Sequence, residues 1–271
     1  MSDSKVSHLP DPEYINDDYV GAGKLKGKRV LISGGDSGIG RAAALHMARE
    51  GAKVAIIYHS AEDKAAETKQ AIEAEGVVAL VIQGNTGDSA DCDRAVEKVV
   101  SSWGGIDILV NNAGFQKAYH NLEEVSDEDW TAHFDVNMAG MFYLSRAALR
   151  HMQSGSAIVN TGSINGYVGN KALLPYSSTK GAISAFTRSL AKQYMDKGIR
   201  VNEIAPGPVA TDIQSVFEDF DEDMLKNMAA PIGRVGQPRE LGPAYVFLAS
   251  QDGSFITGQT LHVNGGMMVG A

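Results

Sequence analysis

The chain has a single cysteine, Cys92, among 271 residues. One thiol closes no intrachain disulfide, so nothing calls for an oxidising compartment. Cys92 lies in Asp88-Ser89-Ala90-Asp91-Cys92-Asp93, where neighbouring carboxylates raise a thiol's pKa and oppose nucleophilic use. Its reading is structural. A basic stripe is also missing: 24 Lys and Arg stand against 33 Asp and Glu, a net charge of −9. Nucleic acid and anionic membrane both need a basic footprint, so neither is expected as a partner. No apolar run reaches the roughly 18 residues of a membrane span, and Met1–Asp18 lacks the apolar core of a signal peptide. A soluble, cytoplasmic protein is expected. His120, His133 and His151 show no ligand spacing, so no metal is expected. Repeats and low-complexity tracts are absent too. What is present is a 44% hydrophobic chain, ample for one large core.

Residues 1–24 are polar, with Pro10, Pro12 and Asp17-Asp18, and read as an arm outside the main fold. The arm is either disordered or anchored through Tyr14, Ile15, Tyr19 and Val20 on the body or on a neighbouring subunit. From Lys28, short apolar runs alternate with helical stretches. Strands are predicted at Val30–Ser33, Val54–Tyr58, Val77–Gln83, Ile106–Asn111, Ala157–Thr161, Val201–Ala205 and Leu261–Val263. Helices are predicted from near Ile39 to Glu50 and over Ala61–Glu75, Ser89–Trp103, Asp127–Met152 and Pro175–Lys197. Repeated βα units imply an α/β fold: one Rossmann-type, doubly wound parallel sheet of seven strands with helices on both faces, occupying residues 25–271 as a single domain. Ligands of such sheets sit beyond the carboxyl ends of the strands, at the point where strand order reverses.

The first such end is Ser33-Gly34-Gly35-Asp36-Ser37-Gly38-Ile39-Gly40. Its glycines at 34, 38 and 40 supply a sharp turn, a close backbone approach and tight helix–strand packing, the needs of a dinucleotide pyrophosphate. The helix N-terminus beyond offers free N–H groups and partial positive charge. Gly34, Ser37, Gly38, Ile39 and Gly40 are therefore cofactor candidates. The second strand ends Tyr58-His59-Ser60, and the first acid is Glu62. A carboxylate bonded to the ribose 2′-hydroxyl marks NAD sites. Its absence tilts the balance to NADP over NAD, with His59 and Arg41 as donors near a 2′-phosphate, Arg41 reading equally as a surface helix residue. After the third strand, Asn85 and Thr86 contact an adenine edge or belong, with Asp88, to a helix cap. After the fourth, Asn111-Asn112-Ala113-Gly114 suits backbone running flat beneath a cofactor, with Asn side chains tying adjacent strands; a plain turn is the competing view.

Asn137 falls within a stripe of Trp130, Phe134, Met141, Leu144 and Ala148. An amide there needs a hydrogen-bonding partner, either a helix kink with a bound water or a functional contact. After the fifth strand comes Ser163, and the next helix opens with Tyr176 and Lys180. Four residues apart, these two share one helix face. An ammonium beside a phenol favours phenolate, each unit of pKa lowering being about 1.4 kcal/mol. The Ser163 hydroxyl stands ready to bind a carbonyl or alkoxide oxygen.

These motifs together resemble the short-chain dehydrogenase/reductase family, from about Leu25 onward. Ser33 replaces the Thr that opens the family's glycine signature, and Asn111 to Gly114 match its N-N-A-G motif. The resemblance maps the family's catalytic Asn, Ser, Tyr and Lys onto Asn137, Ser163, Tyr176 and Lys180, and its P-G turn onto Pro206-Gly207. Val209 and Thr211 match residues that contact the nicotinamide amide. Asn85 and Asn264 depart from the family's usual Asp. The glycine turn and arm are most similar to bacterial members related to glucose dehydrogenases and 3-oxoacyl-carrier-protein reductases. The resemblance implies NAD(P)-dependent hydride transfer to or from a carbonyl or alcohol carbon. Tyr176 is then general acid/base, Ser163 orients the substrate oxygen, Lys180 binds the nicotinamide ribose, and Asn137 holds a proton-relaying water. It also implies a homotetramer built on the two long helices. A catalytically silent NADP sensor on the same fold is the rival reading. A lid is expected at about 210–236, whose acidic run Glu218–Asp223, if it lines the entrance, favours neutral aldehydes, ketones, sugars or polyols over anionic acyl carriers. Met224, Leu225 and Met228 would form its apolar underside, and Gln116, His120, Asn165 and Tyr167 flank the pocket.

Overall fold

Val30, Leu31 and Ile32 are consecutive and all without solvent exposure. Val30 and Ile32 enter a core with Met47, Ile56 and Tyr245, whereas Leu31 enters a second core with Val96, Leu109 and Ile158. Only a sheet covered on both faces buries successive residues this way. The computed structural model describes residues 9–217 and 228–268. Its parallel strands are β1 (Arg29–Ser33), β2 (Lys53–Tyr58), β3 (Ala79–Gln83), β4 (Ile108–Asn111), β5 (Ala157–Thr161), β6 (Arg200–Pro206) and β7 (Thr260–Val263). They lie in the order β3-β2-β1-β4-β5-β6-β7, the doubly wound sheet expected. Strand order reverses between β1 and β4, which opens a crevice at their carboxyl ends.

The helices are α1 (Gly38–Arg49), α2 (Glu62–Ala74), α3 (Ser89–Trp103), α4 (Asp127–Phe134), α5 (Gly140–Ala148), α6 (Asn165–Val168), α7 (Leu174–Tyr194) and α8 (Gly242–Ala249). Pro175 occupies the first turn of α7, where a missing N–H costs nothing. Asp88 caps α3, its carboxylate accepting from the N–H groups of Ala90 and Asp91. Cys92 is buried and donates to the Thr86 carbonyl. Burial first, then Asp93 and Asp88, pushes its thiol up to about 12, an inert state as expected.

The helix predicted over Asp127–Met152 is not continuous. A π-helical turn, Asp135–Ala139, separates α4 from α5. Such a wide turn costs hydrogen-bond regularity and recurs where a side chain must be redirected; here it contains buried Asn137. Among the described residues, no helix is long and apolar enough to cross a membrane.

The described part of the arm is strapped to the body. Tyr14 and Ile15 pack against the first core, while Val20 stays 83% exposed. Glu13 N–H donates to Gln237, and Arg239 N–H donates to the Glu13 carbonyl. The main anchor is Glu50, a carboxylate only 1% exposed. It accepts from the Tyr19 hydroxyl at 2.6 Å and from the N–H groups of Ala22 and Lys24, each at 2.9 Å. Burial raises its pKa, but these donors outweigh burial and hold it below the ordinary glutamate value. A folded-state pKa that is depressed contributes stability above the unfolded pKa and loses it as pH falls through the folded one. Glu50→Gln should therefore lower unfolding free energy by about 1–3 kcal/mol near neutral pH. Urea denaturation of both proteins should show that gap narrowing in acid, as the wild type protonates.

Candidate active site

At the end of β1 the chain turns through Gly34, at φ 62°, and reaches Gly38, at φ 51°, backbone states that favour glycine. A Cβ at Gly40 would overlap the Gly34 carbonyl. Gly40 is thus the contact that lets α1 sit on the turn, and it does not line the cleft. Ser37 precedes α1 without capping it through its side chain, unlike Asp88 at α3. The Gly38 N–H meets the Tyr14 hydroxyl, and the N–H groups that follow it keep the anion-binding capacity of a helix N-terminus. The turn and helix start fit a dinucleotide phosphate on this observation. Gly34, Ser37, Gly38 and Ile39 line one end of a cleft of about 1340 Å³.

Tyr58 and His59 line the same end. Arg41 does not: it pairs with Glu67 at 3.1 Å, and its guanidinium lies over the Tyr14 ring, 4.5 Å from the centroid. The sequence reading offered it to a 2′-phosphate; the structure gives its charge to α2 and the arm. Tyr14 itself was missed at this place. Its hydroxyl meets the Gly38 backbone N–H, beside the glycine turn. Asn85 and Thr86 reach the cleft, although Asn85 also accepts from Gly87 N–H.

Side chains hold the crevice where the strand ladder stops. The Ser33 hydroxyl accepts N–H bonds from Asn112 and Ala113, at 3.0 and 3.1 Å. The Asn112 amide donates to the carbonyls of Ser33 and Gly34. Asn111 donates to Asn160 and Ser145. This is the strand-tying arrangement expected of the two asparagines. Asn112, Ala113 and Gly114 then line the cleft floor, with Pro206, Gly207, Val209 and Thr211 on the opposite wall.

Ser163, Tyr176 and Lys180 converge at the far end. Ser163 and Tyr176 are only 7% and 9% exposed. The Ser163 hydroxyl beside Tyr176 favours the phenolate, yet burial dominates and pushes Tyr176 up to about 12. Lys180 Nζ donates to the Thr161 carbonyl at 2.8 Å and lies 5.3 Å from the Tyr176 ring centroid. Burial pulls it down to about 8, with Glu203 opposing. The sequence suggests a phenol lowered by the ammonium. In this structure desolvation is larger and both groups move toward neutrality.

Asn137 does not line the cleft. Its Oδ1 accepts from Phe115 N–H at 2.7 Å, and its Nδ2 donates to the Phe115 carbonyl and to Thr179, both at 3.0 Å. Both amide hydrogens are thereby used, so the side chain clamps the Phe115 segment to α7, and a bound water has only one Oδ1 lone pair left. Gln116, His120 and Asn165 line the cleft with Tyr176, joined by Tyr119, Leu173, Phe217 and Met228. Tyr167, expected there, instead turns its hydroxyl to Glu203 and Thr260. Asn264, where the family usually has Asp, accepts from Gly266 N–H in a terminal turn. The acidic run, Met224 and Leu225 lie outside the described residues. Tyr119, Leu173 and Phe217 gave no sequence signal: the first two lie in irregular segments and Phe217 ends a short 3-10 helix, Asp212–Phe217.

Comparison with known proteins agrees with this architecture. A family model described as Enoyl-(Acyl carrier protein) reductase matches residues 34–268. The chain is 45% identical over 268 residues to a Glucose and ribitol dehydrogenase of Daucus carota, covering 96% of this chain and 91% of that protein. It is 44% identical over 269 residues to NADPH-dependent aldehyde reductase 1, chloroplastic, of Arabidopsis thaliana, covering 96% and 93%. A short chain dehydrogenase from Burkholderia cenocepacia J2315, solved in complex with NADP, superposes with a TM-score of 0.84 at 33% identity, covering 90% of this chain and 99% of that one. Relatives that match nearly end to end, on the same sheet, leave one assignment: the chain belongs to the short-chain dehydrogenase/reductase family and is an oxidoreductase.

Proposed function

We propose that this protein transfers hydride between NADP and the carbonyl or alcohol carbon of a small neutral substrate, an aldehyde, sugar or polyol. The observation behind the reading is one cleft with a glycine-lined helix start, without a Ser37 side-chain cap, at one end and buried Ser163, Tyr176 and Lys180 at the other. The nicotinamide cofactor, when bound, supplies or takes the hydride. Gly34, Ser37, Gly38 and Ile39 would hold its pyrophosphate, with Gly40 packed beneath them. Asn85, Thr86 and the Asn112–Gly114 backbone would border the adenosine, and Pro206, Gly207, Val209 and Thr211 the nicotinamide.

In reduction Tyr176 gives its phenolic proton to the substrate oxygen, and in oxidation it takes that proton back. A high phenol pKa suits the acid role, because the group stays protonated at neutral pH. Ser163 donates to the same oxygen and stabilises developing charge there. Lys180 is amphiprotic near pH 8 and offsets negative charge on the phenolate. Asn137 keeps the Phe115 segment and α7 in register, so that the tyrosine faces the cleft floor. A silent sensor has no use for this buried acid–base pair, which weighs against the rival reading.

Two further features support the finer claims. The end of β2 presents His59 and Ser60 to the cleft and no carboxylate, which leaves room for a 2′-phosphate. Trp130 on α4 and Phe142 on α5 are 40% and 44% exposed, apolar area suited to the subunit contacts of a homotetramer. The relatives named for aldehyde, glucose and ribitol chemistry are in keeping with a neutral substrate. Residues 25–271 act in this reading as one catalytic domain, with residues 1–24 as its arm.

A turnover screen with NADPH and NADH over aldehydes, ketones and sugars tests the reading. Tyr176→Phe should bind cofactor as the wild type does and lose about 10²–10⁴ in turnover; full activity in that variant removes the tyrosine from the chemistry. His59→Asp places a carboxylate beside the 2′-phosphate. It should lower kcat/KM for NADPH about tenfold or more relative to NADH, some 1.4 kcal/mol. An unchanged ratio would mean that the end of β2 does not read the cofactor.

A further inference from the structure

Glu203 is a carboxylate with no exposed surface, inside the buried strand β6. Such a group is costly to bury unless it is paired or fully hydrogen-bonded. Its partners are hydroxyls. Ser184 Oγ donates to Oε1 at 3.0 Å, Thr260 Oγ1 donates to Oε2 at 2.8 Å, and the Tyr167 hydroxyl donates to Oε2 at 3.1 Å. These donors come from α7, β7 and α6, so the carboxylate is a junction of three elements. The three hydroxyls also bond one another, Ser184 to Tyr167 at 3.0 Å and Tyr167 to Thr260 at 2.8 Å, so the carboxylate oxygens close a network whose members share three protons.

Two contacts connect this junction to the reacting groups. Oε1 fills the space where Gly162 would carry a Cβ, directly behind the backbone that presents Ser163. The second contact runs along α7. Tyr176, Lys180 and Ser184 follow at four-residue spacing on one face, so Ser184 holds the carboxylate one turn beyond the ammonium, on the side away from the phenol. Glu203 is also the charge that opposes the burial of Lys180.

We propose that Glu203 is a positioning residue of the active centre, seating the Gly162–Ser163 backbone and providing the buried negative charge that keeps Lys180 protonated. This rests on the reading of Tyr176 and Lys180 as the acid–base pair. The titratable groups around it are Tyr176 and Lys180 on α7, Tyr167 on α6, Tyr245 on α8 through its bond to Thr161, and His262 on β7, whose ring meets Tyr167 edge-on at 4.8 Å. Lys180 Nζ lies 5.3 Å from the Tyr176 ring centroid, near enough for the loss of a proton from one group to be felt by the other. A fixed negative charge beside them favours their protonated forms, and its removal lowers the apparent pKa of the pair.

The test is the pH profile of alcohol oxidation with NADP, whose acid limb reports loss of the proton from that pair. Glu203→Gln keeps the size and removes the charge. Its limb should move to lower pH by about one unit, with kcat reduced and the KM for NADP unchanged. Glu203→Asp should return the limb toward its wild-type position. A folded Glu203→Gln with an unmoved limb would sink the proposal, leaving the carboxylate a packing role alone. If Glu203→Gln fails to fold, Tyr167→Phe and Thr260→Val each remove one hydroxyl that holds the carboxylate in place. Both should shift the limb in the same direction by less, and two unmoved limbs overturn the idea. Tyr176→Phe separates the layers. If it remains fully active, the acid–base reading fails first; if it is inactive while the Glu203→Gln limb is unmoved, only this inference fails.

Discussion

The cross-strand tie between Ser33 and Asn112 is the constraint on which the site depends. Where the strand order reverses, β1 and β4 part company with their helices on opposite faces, and the backbone ladder has no further partners at the sheet's rim. Ser33 Oγ and the Asn112 amide take over that bonding, at 3.0–3.2 Å. They fix the glycine turn on one side and the Ala113-Gly114 floor on the other. The crevice is therefore held open by side chains of defined length. The exchange of Thr for Ser at position 33 leaves it intact, because only the hydroxyl is used.

Burial sets the electrostatics of the far end. Removing a phenol and an ammonium from water drives each toward its neutral form, and both shifts appear at Tyr176 and Lys180. The protein counters this with groups that are themselves buried: the Ser163 hydroxyl on the phenolic oxygen, the Thr161 carbonyl on Nζ, and the Glu203 carboxylate beyond. Such an arrangement is sensitive. In a low-dielectric site one hydroxyl or one charge counts for more than it would in water.

Local signals were legible wherever function and helix or strand periodicity coincide. Three buried residues in a row mark β1, and four-residue spacing puts Tyr176 and Lys180 on one face. Glycines at 34, 38 and 40 announce the turn, with Gly40 acting through packing. Other residues owe their place to distant neighbours. Arg41 reads as a donor beside the cofactor until Tyr14 and Glu67 claim it. Tyr167 follows the Ser163 loop closely in sequence, yet it turns to Glu203, 36 residues away. Glu203 did offer a signal, an acid in the middle of a strand, but its partners from α6, α7 and β7 did not. Asn137 was visible as an amide on an apolar stripe, whereas the π-helical turn that redirects it was not.

From the sequence alone came the α/β alternation, the parallel sheet, the glycine turn and the shared helix face of Tyr176 and Lys180, because hydrophobic period and residue spacing act over a few neighbouring positions. Asn137 and Ser163 joined them through the family resemblance. Tertiary structure decided which charges are spent on one another, where the arm rests, and how far burial moves the phenol and the ammonium. Those outcomes depend on groups far apart in the chain that meet only when the core excludes water. No local pattern encodes them.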